Sequence, residues 1–236
     1  MPEELNRVLV DHLSALLLCP TRSAVEQLKS EGIRGRVEWT GDLMADLVIK
    51  NIQKIKKRPA IRPYYVATIH RNTNTDEPAR LASVLNMLGR LKHEVRFMVH
   101  PRTQKFLRRS PDLRKRLKLY PKLRLEKPVS YTHFVELMAS SEGVITDSGG
   151  IQKEAFLLNI PCVTIRPSTE WGETVRSGRN VLCEPSPQAV SRAFVRIQSA
   201  MRRKAPRVFG EGKAAERTVR SIAACIAAGS RKGGRS

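Results

Sequence analysis

The chain has 236 residues, 41% of them hydrophobic, which is enough for a buried core and excludes wholesale disorder. Its net charge is +21, from 43 Lys+Arg against 22 Asp+Glu, and such an excess attracts anions without selecting one. Only 5% of residues are aromatic and no basic run is interleaved with them, so a stacking platform for nucleic acid is disfavoured and a groove for an anionic small molecule accounts for the charge more simply.

In chain order, "ALLLCP" (15–20) reads as a strand, and "TRSAVEQLKSEG" (21–32) as a helix with Thr21 as N-cap and Gly32 as its stop. "RVEWTG" is a second strand. An amphipathic helix follows over 42–57, with a proline-bounded break in "RPAIRP". The alternation then restarts with strand "YYVATI" (64–69), a helix over 76–91, strand "VRFMVH" and a helical stretch broken at Pro111. Strand "LRLEKP", helix "YTHFVELMASSE", strand "GVITD", helix "GGIQKEAFLLN" and strand "PCVTIR" come next. Strand "NVLCEP", helix "PQAVSRAFVRIQSAM" and a closing helix "AAERTVRSIAACIAA" finish the pattern before a basic tail, "RKGGRS", that reads as frayed.

Continuous apolar strands alternating with helices predict an α/β fold, a doubly wound parallel sheet covered on both faces. Three regions are expected: residues 1–40 as the remnant of an N-terminal Rossmann-like domain, 41–207 as a complete C-terminal Rossmann-like domain, and 208–236 as a terminal helix and tail. A strand needs sheet neighbours, so 1–40 is not expected to fold alone. No apolar run approaches the roughly 18–20 residues that cross a bilayer, and the polar, acidic start "MPEELNRVLVDHL" is no secretory signal. The four cysteines, Cys19, Cys162, Cys183 and Cys225, form no CxxC pair, which argues against structural zinc or a redox couple and for silent thiols in a reducing, cytoplasmic compartment.

In a doubly wound sheet, ligands bind beyond the carboxyl ends of the strands. Asp147-Ser148-Gly149-Gly150 follows "GVIT" and opens a helix, where the first N–H groups lack partners and the dipole is positive. Glycine lets a phosphate approach the backbone, and Ser148 adds a hydroxyl donor. The plainer alternative is an ordinary turn capped by Asp147 or Ser148. Glu154 lies four residues after Gly150 on the same helical face, placed to accept two hydrogen bonds from a ribose diol. The plainer alternative there is a solvated surface residue, as neighbouring Lys153 is expected to be. His70 and Arg71 of "ATIHRNTN" end a strand in the same sheet and favour an anion. Arg166, Thr169 and Glu170 are placed to line the same crevice, with Trp171 either packing or forming a ligand wall. His100 of "VHPR" ends a third strand on that rim.

At this point "DSGGIQKEAFLLNIPCVTIR" with "STEWGETVRSGRNVL" resembles the signature of the non-hydrolysing UDP-N-acetylglucosamine 2-epimerases. "TIHRNTN", "VEWTGDLMADLV", "FGEGKAAERTVRSI" and the first 28 residues resemble further segments of that family, in the family's order. The resemblance implies two Rossmann-like domains of GT-B-like type with the active site between them, no metal and no cofactor. It implies interconversion of UDP-GlcNAc and UDP-ManNAc by elimination and re-addition of UDP. Ser148, Gly149 and Gly150 would hold the diphosphate and Glu154 the ribose. His70 would assist departure of UDP, and Glu4, with Glu3 as its neighbour, would match an acid of the catalytic centre. His100 would match a position near a regulatory UDP-GlcNAc site.

The chain departs from the family in three places. The acid of the family's His-Arg-x-Glu-Asn is Thr73. An arginine of its Thr-Glu-Arg-Pro-Glu is Trp171. The segment that precedes "MPEE" in the family has no counterpart here, which makes Met1 read as an internal methionine of a longer ancestral chain. Partners expected are UDP-GlcNAc or UDP, a second copy or a separate N-terminal half, and neither membrane nor nucleic acid. A non-catalytic UDP-sugar-binding module or a glycosyltransferase-like donor domain is the alternative.

Overall fold

The computed structural model describes residues 2–52, 55 and 62–233, and the chain divides into two compact units. The first is Met1–Gln53 with Arg207–Ser236, the second Lys54–Pro206. Helix 43–52 and the terminal helix therefore group with the first strands, where the sequence pattern had set residues 41–53 with the second unit and 208–236 apart. The reason is packing. Asp42 accepts from Met44 N (2.7 Å) and Ala45 N (3.2 Å) at the start of that helix, and its own N–H donates to Phe209 O (3.0 Å). Asp46 accepts from Ala215 N at 2.8 Å.

The first unit holds a parallel pair, β1 (Leu16–Cys19) and β2 (Arg36–Trp39), with helices α1 (Pro2–Leu13), α2 (Arg22–Ser30), α3 (Leu43–Ile52) and, at the chain's end, α12 (Ala214–Gly233). Thr21 caps α2 by accepting from Ala24 N at 3.2 Å, and Gly32 takes the positive φ of 72° that ends it. The pattern had assigned no helix to 2–13. Arg7 ties α1 together through Glu4 (2.7 Å) and Asp11 (2.8 Å) and reaches Glu31 (2.8 Å). The far part of the helix expected over 42–57, most of the proline break and the last three residues of the basic tail lie outside the described residues.

The second unit is a six-stranded, all-parallel sheet. Its strands are β3 (Tyr64–Thr68), β4 (Glu94–Met98), β5 (Leu123–Glu126), β6 (Gly143–Thr146), β7 (Cys162–Thr164) and β8 (Asn180–Leu182), in the order β5-β4-β3-β6-β7-β8. Helices cover it: α4 (Asn72–Thr75), α5 (Pro78–Gly89), α6 (Pro101–Arg109), α7 (Pro111–Leu117), α8 (Tyr131–Ala139), α9 (Gly149–Leu157), α10 (Gly172–Arg176) and α11 (Pro187–Met201). All four residues of β6 are buried, as a strand covered on both faces requires. Ala67, Val95, Phe97, Ile145 and Val163 join Leu81, Leu85, Met87 and Ile197 in one core.

The helix expected over 76–91 starts at Pro78, because proline's fixed φ suits the first helical position. Ahead of it α4, unread in the sequence, makes a separate turn, and α10 was likewise unread; both are too short to carry periodicity. The break at Pro111 divides α6 from α7, and Ser110 caps the second piece.

Candidate functional site

The strand order reverses between β3 and β6, and the crevice of a doubly wound sheet opens at such a point. Both sequence segments singled out as ligand-binding leave the sheet there. The two strands are in register as neighbours, Thr68 opposite Thr146, with their hydroxyls 2.9 Å apart. His70 and Arg71 follow β3, and Asp147 to Gly150 follow β6.

Asp147 joins the segments. It is fully buried, and it does not cap α9. Its carboxylate instead accepts from His70 N (3.1 Å), Arg71 N (2.9 Å) and Asn74 Nδ2 (3.0 Å), and lies 3.2 Å from His70 Nδ1. Burial pushes its pKa up, but the His70, Asn74 and Arg71 bonds outweigh that and hold it below the ordinary carboxyl range. With Nδ1 turned to Asp147, the imidazole presents Nε2 on its opposite side. His70 is exposed, as a group that meets a ligand must be, and its ring centroid lies 6.0 Å from that of His100.

The glycine turn also departs from the simple capping alternative. Ser148 occupies the N-cap position of α9, yet its side chain makes no cap hydrogen bond. The first-turn amides of α9 have no acceptor one turn back and point out of the helix end. Thr146 Oγ1 holds the turn by accepting from Ser148 N at 3.0 Å.

Glu154 is buried rather than a solvated surface residue. Burial raises its pKa, while a hydrogen bond with Tyr131 and the charge of Lys153 pull the other way. The Tyr131 hydroxyl is pushed up to about 12 by its own burial and by Glu154, so it stays a donor at neutral pH. Lys153, expected in solvent, is buried too, because its ammonium lies 4.1 Å from the Trp171 ring centroid. Trp171 therefore packs on α9.

Arg166 reaches Glu170 at 2.7 Å, and Arg71 approaches the same carboxylate at 3.8 Å. The loop that carries Glu170 hangs on Gln152, whose Oε1 accepts from Thr169 Oγ1 (2.7 Å) and Asn180 Nδ2 (3.1 Å). Thr73 is exposed, while Asn74 beside it is buried and also donates to Ile165 O at 3.0 Å. Glu4 belongs to the first unit, on α1, in its ion pair with Arg7; the side chain of Glu3 lies outside those described.

The structure thus brings His70, Arg71, Ser148, Gly149, Gly150, Arg166 and Glu170 to one rim, with His100 beside His70. Sequence reasoning missed Asp147 as a clamp, Asn74, Tyr131 and Gln152. Asp147 and Asn74 stood in the quoted motifs. Tyr131 and Gln152 carried no local signal, since their partners come from other loops. Among the described residues there is no group of three or more His, Cys, Asp or Glu able to hold a metal ion, and no helix long and apolar enough to cross a membrane.

Comparison with known proteins adds to this geometry. The family profile described as UDP-N-acetylglucosamine 2-epimerase matches residues 1–223. A UDP-N-acetylglucosamine 2-epimerase homolog of Methanococcus maripaludis is 37% identical over 228 residues, 93% of this chain and 63% of that protein. A UDP-2,3-diacetamido-2,3-dideoxy-D-glucuronate 2-epimerase of Pseudomonas aeruginosa is 39% identical over 191 residues, 77% of this chain and 52% of that protein. Among solved structures, the UDP-GlcNAc 2-epimerase of Methanocaldococcus jannaschii in complex with UDP-GlcNAc and UDP matches with a TM-score of 0.81 at 33% identity, over 94% of this chain and 65% of that one. The chain therefore spans less than two thirds of the length of these relatives.

Proposed function

Because this chain belongs to the UDP-N-acetylglucosamine 2-epimerase family, we propose that it supplies the nucleotide-holding half of a 2-epimerase site for UDP-GlcNAc. The observation that carries the reading is the Asp147 clamp: one buried carboxylate binds the His70-Arg71 segment to the strand end from which the glycine turn departs. The fold agrees with it, a doubly wound α/β domain like the corresponding part of the two-domain, GT-B-like relatives. The first unit, with residues 1–40 at its heart, is the closing part of an N-terminal Rossmann-like domain, and 208–236 ends as helix and tail.

The amides of Gly149 and Gly150 and the Ser148 hydroxyl hold the diphosphate, with the positive end of α9 behind them. Glu154, kept in place by Tyr131, accepts from the ribose hydroxyls. Arg71, Arg166 and Glu170 line the anion side. His70, oriented through Nδ1 by Asp147, meets the leaving diphosphate with Nε2 and stabilises the charge that builds as the C1–O bond breaks. The C2–H electron pair becomes a C1=C2 double bond as UDP leaves C1 with the C1–O pair, giving a 2-acetamidoglucal. UDP then re-adds at C1 while a proton is delivered to the opposite face of C2, which inverts C2. The base for C2 comes from an N-terminal half, assisted by Glu4. His100 lies toward a second, regulatory nucleotide-sugar position. The protein works in the cytoplasm, without metal or redox cofactor, and with a second copy or a complementary half as its partner.

Calorimetry with UDP tests the binding half of the reading. The parent chain binds UDP, and Glu154→Ala and Ser148→Leu each abolish most of that binding. Solvent deuterium entering at C2 of UDP-GlcNAc, followed by NMR with a supplied N-terminal half, tests the activity. UDP affinity unchanged in both variants refutes the site. UDP binding with no exchange or inversion leaves a non-catalytic UDP-sugar-binding module.

A further inference from the structure

The mouth of the glycine turn is occupied by a side chain of the protein itself. A Cβ added to Gly149 would overlap the Glu170 carboxylate and come within 3.0 Å of Trp171 Nε1. The space glycine leaves for an approaching phosphate is thus the space in which Glu170 rests. The carboxylate is an anion, and its counter-ions are the two guanidinium groups of the rim, Arg166 at 2.7 Å and Arg71 at 3.8 Å. Its backbone has little freedom, because Thr169 Oγ1 donates to Gln152, Trp171 N donates to Thr169 Oγ1 (3.1 Å), and the Trp171 ring lies against Lys153. Its side chain is 44% exposed, so the carboxylate already meets solvent on one side.

We propose that Glu170 is a resident anion of the phosphate seat: it fills the place over Gly149 and neutralises Arg71 and Arg166 until the nucleotide's diphosphate displaces it and takes over both arginines. This deepens the UDP-binding reading and rests on it. A diphosphate and a carboxylate cannot share a seat a few ångströms across, since like charges at that range repel. Partial burial draws the Glu170 pKa up, but its own backbone N–H, Arg166 and Arg71 win and hold it low, so it is ionised throughout the neutral range and the competition persists there. The occupied state reduces the apparent affinity for any anion by the fraction of molecules in which the seat is empty. It also spares the two arginines from standing unpaired between turnovers. Uridine, which has no phosphate, is indifferent to the exchange.

The test is calorimetry on the full chain at low ionic strength with UDP and, separately, with uridine. Glu170→Gln keeps the shape and removes the charge. It binds UDP on the order of tenfold more tightly than the parent, a factor equal to about 1.4 kcal/mol, and binds uridine equally. The gap narrows in high salt because the half-exposed charges are screened. Glu170→Ala must move UDP affinity in the same direction, which guards against a local effect of the glutamine amide. UDP affinity equal to or weaker than the parent's in both variants overturns the inference while leaving the UDP site in place. Absence of UDP binding in the parent and in both variants removes the proposed function, and the inference with it.

Discussion

Asp147→Asn removes the charge from the clamp and keeps its volume. The parent carboxylate, fully buried, accepts from His70 N, Arg71 N and Asn74 Nδ2 at 2.9–3.1 Å and faces His70 Nδ1 at 3.2 Å. Hydrogen bonds to a charged acceptor contribute about 1.5–3 kcal/mol each and neutral ones about 0.5–1.5. An amide offers one oxygen in place of two, so its NH2 group is forced against at least one of these donors, leaving a buried N–H unmet at about 1–3 kcal/mol. Weakening two bonds and losing one comes to about 3–4 kcal/mol. Relief of the buried charge offsets part, and a net loss of about 2 kcal/mol remains. For a domain of this size that is a fall in Tm of about 4–8 °C. The acid limb gives a second reading of the same residue. A carboxyl whose native pKa is depressed contributes stability that is full above its unfolded pKa, about 4, and is lost as pH falls through the lower native pKa. The parent therefore loses stability below about pH 4, and Asp147→Asn lacks that component. Urea unfolding followed by circular dichroism between neutral and acid pH measures both. A variant within about 0.5 kcal/mol of the parent at neutral pH, with the same acid slope, would mean that the His70-Arg71 segment is not held by Asp147.

Other substitutions probe single contacts. Tyr131→Phe takes the donor from Glu154, whose burial-raised pKa then climbs further; UDP affinity falls more steeply on acidification than in the parent, and a parallel pH profile in calorimetry would contradict this. Gly89→Ala brings a Cβ into the Tyr120 ring, which is buried. Overpacking of about 1–3 kcal/mol outweighs the helix-propensity gain of about 1 kcal/mol, so thermal unfolding comes earlier, and a stabilised variant would refute the packing. Cys162, its thiol pushed up to about 12 by burial, stays unalkylated by iodoacetamide at mildly alkaline pH until the protein unfolds, as mass spectrometry of the labelled peptide would register.

The alternation of apolar strands with helices is legible because it is a local pattern: a strand buried on both faces is mostly apolar, and β3, β6 and β7 are, up to the threonine that ends each. The glycine turn and the His-Arg pair could be read for the same reason, since each is contiguous in the chain and stands at a strand's end. Sequence alone thus determined the parallel sheet and where the two loops leave it. Which groups face each other was decided only by tertiary structure. Asp147 and Asn74 are 73 residues apart, and Asp147 and His70 are 77 apart. Tyr131 comes to Glu154 from another helix, and Glu170 lies on Gly149 because Gln152 and Trp171 hold its loop down. No local periodicity records such meetings. They follow from the order in which parallel strands assemble, and hydrogen bonds and charge act across the space that order creates.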